Sequence, residues 1–223
     1  MSNFKNTTKL LAAAVSAAAV LAGVTACGSN GKKAGGDISG AQTAAPTASA
    51  AATASPTQAS GAPAINLPSD LTVAVDFKPD DDATKKAAAD GLAYALRAFQ
   101  EAAATGNTDS PAFLYSYSGT GAAYMVGGIK QLSSKGFTTT GATRYYALTL
   151  DIKDATHAVA AYCNDESKAF AKDKASGKVQ ETTPGITDYT DWTTALELSD
   201  KGVWRVTTTQ AEKGSTRCQQ AAG

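Results

Sequence analysis

The chain has 223 residues, with 20 Lys and Arg against 20 Asp and Glu, a single His and three Cys. Balanced charge without a basic cluster excludes an electrostatic nucleic-acid binder and an electrostatic grip on anionic lipid. Two Cys beside the lone His157 make no zinc spacing, and nothing in the sequence calls for a metal or another cofactor.

Lys5 and Lys9 precede an apolar stretch over residues 10–21 that is too short to span a bilayer, followed by small residues and Cys27. This is the pattern of an export signal over residues 1–26. Val24-Thr25-Ala26-Cys27 resembles the bacterial lipobox, which implies a diacylglycerylated Cys27 as the mature N-terminus and a protein on the outer face of the cell membrane. Two or more acyl chains anchor stably where one is marginal. Loss of Lys5 and Lys9 with the leader takes the formal charge from 0 to −2. Residues 28–64 are Ala, Thr, Ser, Gly, Pro and Gln with almost no large apolar side chain, a composition that cannot offset ordering entropy. With Cys27 they form the expected tether, residues 27–64, of roughly 30 to 40 Å reach. Thr and Ser beside Pro46 and Pro56 suit O-glycosylation.

Residues 65–223 are the size of one domain. Leu92, Ala95, Leu96, Phe99 and Ala103 recur at helical spacing, and Asp80-Asp81-Asp82 before them suits a helix start, so a helix is expected over 82–105, stopped by Gly106. The Asp triplet lacks the spacing and distal Glu of a calcium loop. Ser110-Pro111 opens a second helix to about residue 117, and a third is expected over 122–134, after interruption by Gly119 and Gly121. The pattern then switches to alternation. Over 143–152, Tyr146, Leu148, Leu150 and Ile152 fall on one face, with Tyr145, Ala147 and Thr149 on the other. Further strands are expected over 157–164, in a hairpin over 169–182 turning at Ala175-Ser176-Gly177, and in a second hairpin over 192–210 turning at 199–202. Helices first and antiparallel strands after make an α+β domain. With Cys27 assigned to lipid and an oxidising compartment, Cys163 and Cys218 read as one disulfide closing a loop of about 56 residues, worth roughly 4 kcal/mol by chain entropy; two free thiols are the alternative.

This order resembles the NTF2-like or SnoaL-like cone. Ala161-Tyr162-Cys163-Asn164-Asp165, the turn Ser176-Gly177-Lys178, Gly202-Val203-Trp204-Arg205-Val206 and late Cys218 resemble lipoprotein domains of high-GC Gram-positive bacteria that have no assigned function. The resemblance implies three N-terminal helices packed on a curved antiparallel sheet of about four to six strands. It also implies a disulfide from the second strand to the C-terminal tail. Relatives often carry another Cys pair near helix two, where this chain has Phe113-Leu114-Tyr115-Ser116-Tyr117.

The wider superfamily includes isomerases and dehydratases with an Asp, Tyr or His-Asp dyad inside the cone, but fold likeness alone carries no activity. His157 falls at a strand start, a solvated position, and Asp90 faces either cone or solvent. No G-x-S-x-G, Walker loop, H-E-x-x-H or C-x-x-C occurs. No catalytic residue is assigned. Tyr115, Tyr124 and Tyr146 are the candidate ligand-binding positions, because helix two borders the cone mouth in similar folds. The expected function is a membrane-anchored, extracytoplasmic binding or accessory domain for an envelope protein or a small apolar ligand. A lipid-anchored isomerase or dehydratase and a purely structural lipoprotein are the alternatives, and pairing through the open sheet face leaves a homodimer open.

Overall fold

The computed structural model describes residues 61–223. The expected leader over residues 1–26, Cys27 and the expected tether as far as residue 60 lie outside the described residues. Pro63 is already tied to the domain, its carbonyl accepting the Tyr94 hydroxyl at 2.8 Å, and the Asn66 N–H donates to the buried Glu101 carboxylate at 2.6 Å.

The domain is α+β, with one six-stranded sheet ordered β1-β2-β3-β5-β6 and β4 pairing the tail of β3. Its elements are β1 (Leu71–Asp76), α1 (Ala83–Thr105), α2 (Pro111–Ser116), α3 (Gly119–Ser134), β2 (Phe137–Ile152), β3 (His157–Asp173), β4 (Val179–Gln180), β5 (Tyr189–Leu198), β6 (Trp204–Lys213) and α4 (Thr216–Ala221). Two expectations are corrected. A strand precedes the helices, and it joins β2 in parallel, so the sheet is mixed rather than antiparallel. Leu71-Thr72-Val73-Ala74-Val75-Asp76 does alternate, but six residues between prolines carry little weight beside the long helix that follows.

The helices form where their local chemistry places them. The Asp82 carboxylate accepts the Thr84 and Lys85 N–H groups to open α1, and Ser110 caps α2 on Phe113 N–H with Pro111 at its first turn. Asp90 faces solvent and pairs with Lys86 at 2.7 Å, one helical turn away. The third helix starts at Gly119, earlier than its composition suggests. Gly119 and Gly121 do not interrupt it. A Cβ at Gly121 would stand 3.0 Å from the Thr207 backbone, so the missing side chain is what lets α3 lie directly on β6.

Helices α1, α2 and α3 cover one face of the sheet and enclose the core, with α4 on the other face. Leu92, Leu96, Phe113, Met125 and Ile129 from the helices meet Tyr145, Tyr162, Leu196, Trp204 and Val206 from the strands, all 4% exposed or less. Tyr162 sits at the centre, edge-on to Tyr145 at 6.1 Å and stacked on Trp192 at 6.4 Å. Phe113 stacks on Tyr117 at 4.6 Å, closing the helix side of the core.

Alternation along β2 breaks at a bulge between Tyr146 and Thr149, where Ala147 has φ 53°. One added residue changes which face the following side chains occupy. Tyr145, Leu148, Leu150 and Ile152 therefore join the helix-covered core, whereas Tyr146 and Thr149 look to the opposite, outer face. The uninterrupted alternation read from the sequence had Tyr146 and Leu148 together.

Candidate functional site

Two polar regions stand on opposite faces of the sheet. On the inner face, Gln100 Nε2 donates to the Tyr145 hydroxyl at 2.7 Å, Asn164 Nδ2 donates to Thr143 Oγ1 at 2.7 Å, and the Thr194 and Thr209 hydroxyls share a bond at 3.1 Å. Burial raises the hydroxyl pKa of Tyr117, Tyr145 and Tyr162, which keeps all three protonated at neutral pH. Thr190 Oγ1 and Trp192 Nε1, two residues apart on β5, are buried without a hydrogen-bond partner. Glu166 lies beyond Asn164 on β3, where the ladder with β2 slips between Ala142 and Arg144. Desolvation lifts its carboxyl above the ordinary range against the opposing pull of Lys213, 3.9 Å away, while Asp188 and Asp165 push further upward.

Because its folded-state pKa lies above the unfolded value, Glu166 favours the fold only while protonated. That contribution is present below about pH 4.5 and is lost as pH rises through the shifted value. Glu166→Gln is accordingly expected to unfold at slightly higher denaturant than the parent at pH 7, with the difference vanishing toward pH 4. The gain stays under about 1 kcal/mol, since the side chain keeps 35% of its exposure and water screens the charge. Paired urea melts at the two pH values check it, and an equal difference at both would contradict the burial argument.

The outer face is built from two adjacent rows across the sheet. Cross-strand register sets Thr149 beside Ala161, Ala161 beside Thr193, and Thr193 beside Gln210. The next row runs Tyr146, Cys163, Asp191, Glu212. Cys163 holds Cys218 of α4 in a disulfide with Cα atoms 5.3 Å apart, and both cysteines are fully buried. The Tyr146 hydroxyl donates to the Cys218 carbonyl at 2.6 Å, and the Arg144 guanidinium sits 4.8 Å from the Tyr146 ring centre while donating to Ala222. Burial pushes the Tyr146 hydroxyl up to about 12. With α4 clamped over this end of the sheet, Arg217 reaches back and takes Asp191 in a two-bond pair at 2.6 and 2.7 Å. That pairing raises the guanidinium pKa further, and it places a cation beside two carboxylates that face each other across β5 and β6.

Between α4 and the exposed row lies an open groove of about 530 Å³, lined by Thr149, Ala161, Asp191, Thr193, Gln210, Ala211, Glu212 and Arg217. Ala161 leaves the middle of its floor low. The side chains of Thr193, Gln210 and Glu212 are exposed and make no hydrogen bond among the described residues. No group of three or more His, Cys, Asp or Glu with metal-holding geometry occurs among the described residues.

The sequence-derived candidates separate in space. Tyr115 packs edge-on to Tyr94 at 5.5 Å, and Tyr124, half exposed on α3, lies edge-on to Trp192 at 6.2 Å. Tyr146 is 3% exposed beneath α4 on the other face of the sheet. Cys163 and Cys218 are bonded, and their bridge positions α4 beside the groove. His157 sits exposed at a turn with Nδ1 2.9 Å from Asp154, whose carboxyl is held down to about 2 by the Thr156 N–H and by His157. Sequence reasoning missed Asp191, Gln210, Glu212 and Arg217. Their signal is faint, because they are ordinary polar residues on alternate strand positions and only cross-strand register assembles them. Glu166 was missed as well, hidden in a charged run.

No protein-family model matches the chain, and no curated protein matches it. Among solved structures, a ketosteroid isomerase-like protein from Erwinia carotovora atroseptica SCRI1043 is similar at 15% identity and TM-score 0.42, covering 60% of this chain and 98% of that one. The intermembrane space region of the chloroplast protein ARC6 is similar at 13% identity and TM-score 0.38, covering 60% and 99%. These likenesses concern the path of the chain, and no residue role is carried over from them.

Proposed function

We propose that this protein is an extracytoplasmic lipoprotein whose NTF2-like domain binds an envelope component through the outer-face groove, without catalysing a reaction on it. The observation that carries the binding reading is the groove itself, a concave surface whose Thr193, Gln210 and Glu212 side chains are exposed and make no hydrogen bond among the described residues. Unpaired polar groups converging on a concavity are what a recognition site requires. The anchoring reading rests on the leader and the lipobox-like Val24-Thr25-Ala26-Cys27. In this reading the acylated Cys27 holds the chain to the membrane, and the Ala/Thr/Ser/Pro segment after it lets the domain stand off the surface.

Two measurements test the proposal. Cys27→Ala is expected to remove the protein from the membrane fraction as a mature-sized species; mature-sized Cys27→Ala protein that still sediments with membranes would refute anchoring. For binding, the Arg217 Nε–H gives a distinct side-chain resonance because its proton is held by Asp191. Saturable shifts of this signal on titration with solubilised envelope material are expected, and an unmoved signal would refute the groove as the binding site.

A second reading is favoured by one observation. Glu166 offers a carboxyl lifted by desolvation on the face that carries Tyr145 and Asn164, which suits an acid-base role in an isomerase or dehydratase. The tyrosines beside it are packed rather than open, so the binding reading is preferred.

A further inference from the structure

We infer that the ligand of the outer groove is a non-acidic oligosaccharide, an inference that rests on the binding reading above. The lining excludes other chemistries first. No aromatic or branched aliphatic side chain faces the groove, whose apolar surface is only Ala161 and Ala211, so it offers nothing to an acyl chain or a flat aromatic ring. Asp191 and Glu212 against Arg217 leave one net negative charge, which opposes phosphate, sulfate and uronate groups.

What remains is a set of planar hydrogen-bonding groups in fixed positions. The Glu212 carboxylate accepts from two adjacent hydroxyls, the Gln210 amide donates and accepts, and Arg217 has three of its five N–H groups left after pairing with Asp191. Carboxylate, amide and guanidinium each match a pair of vicinal hydroxyls with two parallel bonds, the geometry that makes such contacts both strong and specific. Thr193 adds a hydroxyl that rotates to suit, and the Thr149 hydroxyl, which donates to the Ala161 carbonyl at 3.4 Å, keeps its lone pairs to accept. The floor row from Thr149 to Gln210 crosses four strands, roughly 14 Å at the usual strand spacing, and it is open along its length. A trough of this length, with a polar floor that dips at Ala161 and Arg217 and Glu212 along one side, seats a short run of sugar rings rather than one compact molecule. Arg217 is held by both Asp191 and the Cys163–Cys218 bridge, so this wall is preorganised and the ligand need not order it.

The test uses the full chain with cellohexaose, a chitosan hexamer and an oligogalacturonate, followed through the Arg217 Nε–H resonance. The neutral and amine-bearing oligomers are expected to shift it saturably, with the oligogalacturonate at least about tenfold weaker. Glu212→Gln should weaken binding about tenfold by removing a charge-assisted acceptor. Ala161→Leu, which fills the floor while leaving every polar group in place, should abolish it. An unchanged thermal midpoint verifies that either variant is folded; if Ala161→Leu is not, the exposed Glu212→Gln alone decides. The inference is overturned if none of the three saccharides shifts the resonance, if the oligogalacturonate binds as tightly as the others, or if folded Glu212→Gln binds like the parent. Shifts with envelope material but none with saccharides would overturn the ligand class and leave the binding reading standing. Silence with both would end the two together.

Discussion

Replacing Cys163 by Ser is expected to destabilise the domain by about 2–5 kcal/mol and to release α4 from the sheet. The bridge spans 55 residues, so its loss returns a large loop to the unfolded ensemble. The native side loses as well. Both sulfurs are buried with Tyr146 between Tyr189 and Ala222, and a serine there leaves a hydroxyl without water. Contacts that still hold α4 include the Tyr146 hydroxyl on the Cys218 carbonyl, Arg144 on the Ala222 carbonyl, Arg217 on Asp191, and the Gly214 and Ser215 N–H groups on the Tyr189 carbonyl at its start. The Tyr146 bond is buried but worth only about 1 kcal/mol net, and the exposed Arg217–Asp191 pair is worth under about 1 kcal/mol. Urea melts of Cys163→Ser, and of the parent with and without reductant, check the size of the effect. The expected fall in thermal midpoint is on the order of 10 °C for a domain of this size. A shift below about 2 °C in the fully reduced parent would show that the bridge is not what secures α4. The groove should weaken in parallel, since Arg217 rides on the helix that the bridge holds down.

Gly141→Val is expected to be the more damaging substitution, costing about 3–5 kcal/mol or preventing folding. Gly141 has φ 92°, and a Cβ there would stand 2.2 Å from the Lys168 carbonyl. The left-handed backbone alone costs a branched residue on the order of 1–3 kcal/mol, and overpacking adds a similar amount. The position is also a junction. Gly141 pairs with Leu71 on one side and Ala169 on the other, and its N–H donates to Asp70 at 2.8 Å, so a displaced backbone here detaches β1 from the sheet. Soluble yield and the chemical denaturation midpoint measure the outcome, and a Gly141→Val protein as stable as the parent would contradict it.

The parts of the fold that were legible in the sequence are those governed by neighbours a few residues apart. The Asp82 and Ser110 caps, Pro111, the helical spacing from Leu92 to Ala103, and the Ser199–Gly202 turn all act within one or two turns of chain. The Cys163–Cys218 pairing was legible for a different reason, since they are the two cysteines within the domain stretch of the sequence and the structure joins them. Elements set by distant contacts were not. β1 is a short alternating segment that becomes a strand because β2 lies beside it in parallel, and α3 begins at two glycines because β6 requires close approach. The candidate site was the least legible. Asp191, Gln210, Glu212 and Arg217 come from two strands and a six-residue helix, and none carries a motif.

The sequence by itself determined the components of the described domain: an α+β order of capped helices and alternating strands, with two cysteines to join. Their chemistry is local or compositional, and it holds whatever the chain does later. Which face each side chain occupies was decided only in the tertiary structure. The bulge at Ala147 puts Tyr146, under α4, on the same outer face as Thr149, while cross-strand register lines up Thr149, Ala161, Thr193 and Gln210. A side-chain period of two makes facing sensitive to a single inserted residue, and that sensitivity put the groove beyond the reach of pattern alone.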